Sequence, residues 1–95
     1  MADYRITYWK DIPSQVDAFD GTERVRQPLG GEFQELIDAA AMRLGLSGTD
    51  AYLEEWRMGP TLRREGTPQE VAAAVAADLE AQFERIRTSA LGGPE

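Results

Sequence analysis

"TPQEVAAAVAADLEAQFERI", residues 67–86, carries the strongest structural signal in the sequence. Thr67 suits an N-cap, Pro68 the first helical position, and Glu70, three residues after the cap, completes a capping box. Val71, Val75, Leu79, Phe83 and Ile86 then recur at helical spacing, while Ala72 and Ala76 allow close approach to whatever lies beneath. The spacing predicts one helix with a single apolar stripe. A stripe of this kind must be covered, and the remaining chain supplies the cover.

A second amphipathic helix is predicted from about Gly31 to Leu44, where Phe33, Leu36, Ile37, Ala40 and Leu44 share a face. Acidic residues in its first turn suit the helix dipole, and Gly45-Leu46 fits a left-handed C-terminal stop. The other segments alternate. Residues 3–10 place Tyr4, Ile6 and Tyr8 opposite Arg5, Thr7 and Trp9, and Pro13, which lacks a ladder donor, ends this strand by Lys10 or Asp11. Residues 15–19 and 23–27 read as a hairpin around Asp20-Gly21, with Val16, Ala18 and Val25 inward and Phe19 breaking the alternation. Residues 52–58 and 61–64 read as a second hairpin about Gly59-Pro60, with Trp56 in the core. Two one-sided helices and several one-sided strands combine most simply as an α+β two-layer sandwich. One mainly antiparallel sheet of about four to five strands would carry both helices on one face. Residues 1–88 form one domain, and 89–95 are expected to be a flexible C-terminal tail.

Composition narrows the chemistry. A 95-residue chain holds one small core. Its net charge of −7 repels nucleic acid and anionic membrane. There is no cysteine and no histidine, which removes thiolate nucleophiles, Ser-His-Asp catalysis and ordinary zinc or copper sites. The opening "MADYRITYW" has neither a basic n-region nor an apolar h-region, and no stretch approaches the ~20 apolar residues of a membrane span. A cytoplasmic protein is the expectation, with no nucleic-acid or membrane partner. Glu54-Glu55 and Asp17-Asp20 match neither a calcium loop nor a glycosidase pair, and Gly30-Gly31 has no nucleotide-binding fingerprint around it. The expectation is therefore a protein that is not an enzyme and carries no cofactor or metal.

The stretches "ITYWKDIPSQVDAF", "FQELIDAAAMRLGLSGTDAYLEEWRMG" and "TPQEVAAAVAADLEAQF" together resemble a small bacterial virulence factor domain family, of the conserved virulence factor C-like accessory type. The most distinctive pieces are "YWKDIP" and "GTDAYLEEW". The resemblance implies an accessory module found in bacteria, alone or attached to helical-repeat proteins, with a link to one-carbon, tetrahydrofolate or corrinoid methyl transfer. It implies no catalytic residues.

If Ile6, Val16, Val25 and Leu62 face the helices, the opposite sheet face carries Arg5, Arg24, Arg26, Arg57 and Arg63 together with Thr7 and Trp9. Guanidinium forks suit carboxylates and phosphates, and they stack on aromatic rings. Cross-strand pairing with Asp17, Glu55 and Glu65 would make this an ordinary solvated face instead. Lys10, the only lysine, is either a snorkelling strand-end residue or an amine nucleophile, and no surrounding motif requires the second role. The sequence thus points to an interaction domain. It would hold a protein partner through Arg5, Arg24, Arg26, Arg57, Arg63 and the exposed segment Trp9, Lys10, Asp11, Ile12 and Pro13. On this reading Trp9→Ala would leave the fold intact. The alternative is a module for a small anionic cofactor, such as a folate or nucleotide, serving one-carbon or methyl-transfer enzymes.

Overall fold

The computed structural model describes residues 1–91. In chain order its elements are β1 (Ala2–Trp9), β2 (Ile12–Phe19), β3 (Arg24–Pro28), α1 (Gly31–Arg43), α2 (Asp50–Glu54), β4 (Trp56–Met58), β5 (Leu62–Arg64), α3 (Pro68–Ala81) and α4 (Phe83–Ala90). The five strands make one antiparallel sheet in the order β3-β2-β1-β4, with β5 also paired to β1. Ile6, Val16 and Ala18 of the sheet join Phe33, Leu36, Ile37 of α1 and Val71, Val75 of α3 in a single buried cluster. The expected α+β layering is therefore present. No helix among the described residues is long and apolar enough to cross a membrane.

Local rules account for both main helices. Thr67 Oγ1 accepts from the Glu70 amide at 3.1 Å, and the Glu70 carboxylate accepts from the Thr67 amide at 3.0 Å, so the capping box is formed. At the end of α1, Gly45 takes φ +72°, its amide donates to the Met42 carbonyl, and Leu46 N–H donates to the Ala41 carbonyl. That pair of bonds is a Schellman stop, and the positive φ is what glycine supplies at low steric cost.

Several expectations need correction. Residues 50–54 are a short helix, not a strand, with Thr49 as N-cap accepting from Tyr52 N–H at 3.3 Å. The Tyr52 and Trp56 spacing that suggested alternation is also i, i+4, and the cap decides for the helix. Next, β4 and β5 do not pair with each other as a hairpin: Met58 lies opposite Thr7 and Leu62 opposite Tyr4. Three residues (59–61) thus face two of β1 (5 and 6), making one interrupted edge strand with Pro60 at the break. Gly59 donates to the Ile6 carbonyl at 2.8 Å, and a Cβ on it would meet the Tyr8 ring at 2.9 Å, so the close approach requires glycine.

The third correction is that the final helix is two. Gln82 leaves helical geometry at φ −99°, ψ 9°, and α4 turns so that Phe83 meets Phe33 of α1 edge-to-face at 5.1 Å. The last apolar residues of the stripe cover α1. Helix α4 continues through Ser89 and Ala90, inside the expected tail, and residues 92–95 of that tail lie outside the described ones. The fourth concerns Trp9 and is taken up with the site below.

The β2–β3 hairpin is closed by Asp20, whose Oδ1 accepts from Thr22 N–H at 2.8 Å and Glu23 N–H at 2.9 Å. These backbone bonds, the one from Thr22 foremost, hold the Asp20 carboxyl below the ordinary aspartate value of 3.8. A carboxyl depressed on folding adds stability that is fully present above its unfolded value and lost as pH falls through the folded one. Carbon-detected NMR titration should therefore find Asp20 titrating below 3.8, and Asp20→Ala should weaken the acid dependence of unfolding.

Candidate interaction face

The "WKDIP" segment is the β1–β2 turn. Lys10 and Asp11 are the two loop residues between the paired Trp9 and Ile12. Lys10 adopts φ +53°, in line with the positive φ that primed hairpin turns demand at their first central residue. Its amide donates to the Glu55 carbonyl at 3.0 Å and its ammonium lies 3.5 Å from the Glu55 carboxylate.

Trp9, Ile12 and Pro13 do not form the exposed patch expected of them. Trp9 is 0% and Ile12 2% accessible, and Pro13 is among the most deeply buried side chains. The Trp9 indole N–H donates to the Tyr52 carbonyl at 2.8 Å, and its ring lies 5.4 Å from that of Tyr52. Ile6 and Trp9, three residues apart, enter the same core, which unbroken alternation forbids. The pairing of β1 with β2 is irregular at the same place. Thr7 faces Gln15 whereas Tyr8 faces Pro13, so Ser14 is an extra residue on β2 and the register shifts between Thr7 and Tyr8.

On the other side of the sheet the arginines are largely where alternation put them. Arg5, Asp17 and Arg26 stand in one cross-strand row, and Asp3 is the partner of both Phe19 and Arg63, with Arg24 opposite Phe19. Arg26 pairs with Asp17 at 3.1 Å and Arg63 with Asp3 at 3.0 Å. Arg57 sits further along, over the Tyr8 ring at 4.6 Å and paired with Asp11 at 3.3 Å. Of the carboxylates expected to neutralise the face, only Asp17 does so. Glu55 serves Lys10, and Asp3 and Asp11 take the remaining places.

Two arginines of this face have no carboxylate partner among the described residues. The Arg5 guanidinium lies 5.1 Å and that of Arg24 4.9 Å from the centroid of Phe19, and neither forms an ion pair. Arg5 Nε is buried without an acceptor, an uncommon and costly condition for a charged donor. Asp17 is held almost wholly buried beside them, 2% accessible, and fixes Arg26 in the same group. Phe19 is the residue that sequence reasoning missed. It keeps the alternation of β2, sharing the side of Asp17, and the signal for it was its place two residues after that aspartate.

The family comparison agrees with the reach of this fold: a model described as Virulence factor matches residues 7–91. The chain belongs to the virulence factor family. The matched segment takes in the β1–β2 turn, all four helices and most of the sheet, though not residues 2–6 of β1, so the family domain and the folded unit nearly coincide. No curated protein and no solved structure matches the chain.

Proposed function

We propose that this virulence factor domain is a non-catalytic cytoplasmic accessory module of bacteria that holds an acidic segment of a protein partner on its open sheet face. The observation that carries this reading is the group Arg5, Phe19 and Arg24. Two guanidiniums flank one ring without a carboxylate, in a chain whose net charge is −7. In so acidic a protein most arginines find an internal partner, and Arg26, Arg57 and Arg63 have done so. Arg5 and Arg24 are left to present forked donors to a carboxylate from outside. A folate or nucleotide is supported less well, because Phe19, the aromatic ring of the group, already lies against both guanidiniums.

Fluorescence anisotropy with a labelled octaglutamate peptide tests the reading. The parent should bind with an affinity that falls as salt rises, since rim charges act through screened attraction. Arg5→Gln with Arg24→Gln should weaken binding about tenfold, the loss expected for two charge-assisted contacts at a solvated face. Arg43→Gln, at the exposed end of α1, should change it little. Equal binding by the parent and the double variant would remove the basis of the proposal.

A further inference from the structure

We propose that the cleft at the hairpin end of the molecule is a binding site for a small amphipathic carboxylate, distinct from the arginine face and independent of its role. The cleft has a volume of about 340 Å³ and is built from three segments distant in sequence: the β1–β2 turn, the last turns of α1, and α4. Ile12, Ala40, Leu44 and Ile86 make its walls apolar, while Lys10, Arg85 and Ser89 place polar groups on it. An apolar concavity of this size with a few convergent polar groups is the usual form of a small-molecule site.

The charges select an anion. Arg85 has no carboxylate partner among the described residues. Lys10 has one, Glu55, but at 3.5 Å with both side chains more than a third exposed, a pair of small value that a ligand carboxylate can share or displace. Asp11 also borders the cleft, yet its carboxylate is 97% exposed and bound to Arg57, which is not part of the lining. The cleft therefore offers two available cations and one hydroxyl beside an apolar wall. Leu44, 53% exposed, is an apolar surface for the body of such a ligand. The left-handed backbone at Lys10, fixed by its bond to the Glu55 carbonyl, sets where the ammonium can reach.

Titration of the ¹⁵N-labelled full chain with octanoate, octanol and octylammonium decides the matter. Octanoate should shift the amides of Lys10, Ile12, Ser89 and Ala90 along a saturable curve, with octanol and octylammonium about tenfold weaker. Lys10→Gln with Arg85→Gln should bring octanoate down to the affinity of octanol and leave octanol unchanged. Arg85→Gln alone, at an exposed helical position, gives the same comparison if the double variant does not fold. Arg5→Gln with Arg24→Gln should leave octanoate binding as it is, so failure here is distinguishable from failure of the arginine face. Absence of saturable shifts, equal binding of octanol and octanoate, or unaltered octanoate binding by the charge variants would overturn the assignment.

Discussion

Trp9→Ala is expected to destabilise the domain by about 3–5 kcal/mol, the range for truncating a large aromatic side chain in a core. Trp9 is fully buried, stacks obliquely on Tyr52, and donates its indole N–H to the Tyr52 carbonyl at 2.8 Å. The truncation removes three things together: the buried apolar area, the aromatic contact, and the bond that ties α2 to β1. Against a total stability of about 5–15 kcal/mol for a natural domain, such a loss leaves little margin. Urea unfolding followed by circular dichroism measures it. Trp9→Phe keeps most of the volume and forfeits the N–H bond, so its cost should be smaller. A loss below about 0.5 kcal/mol for Trp9→Ala, typical of surface substitutions, would contradict the inward placement.

Phe33→Ala should cost a comparable amount, about 3–5 kcal/mol, with a different distribution over the molecule. Phe33 is 1% accessible on α1 and meets Phe83 edge-to-face with ring centroids 5.1 Å apart. Phe83 opens α4, a helix with no fully buried residue of its own, so this aromatic pair is a principal anchor of that helix. Hydrogen exchange should therefore lose protection over α4 before it does so over α3, whose capping box and buried valines are untouched. Simultaneous loss in both helices would mean that α4 is held by other contacts.

The sequence made legible whatever is decided within a few residues. Thr67, Pro68 and Glu70 act on one another directly, and so do Gly45 and Leu46 with the end of α1, so both main helices were placed closely. Trp9 was misplaced because the β1–β2 pairing is irregular between Thr7 and Tyr8, and no property of residues 3–10 encodes that irregularity. The edge strand was misjudged for a related reason. Gly59-Pro60 punctuates both a hairpin turn and a break in a continuous strand, and only the pairing of both flanks with β1 separates the two.

The candidate site divides the same way. Arg5, Arg24, Arg26 and Arg63 share a side because unbroken alternation carries them there. Ile12 and Pro13, beyond the irregular pairing, are buried along with Trp9. The pairing of Asp3 with Arg63 spans sixty positions and could not be read from either segment. Nor could the cleft between the hairpin turn and α4, since it exists only because Gln82 redirects the last helix toward α1.

On this reading an acidic partner is held by the arginine face, while Trp9, Ile12 and Pro13 of "WKDIP" pack into the core. Chemical-shift mapping of the full chain with octaglutamate tests it most directly, because the two regions lie on different residues of one spectrum. The account predicts salt-sensitive shifts at Arg5, Asp17, Phe19, Arg24 and Arg26, with the Trp9 indole N–H unmoved and slow to exchange. Shifts centred on Trp9 and Ile12, with Arg5 and Arg24 unaffected, would contradict it.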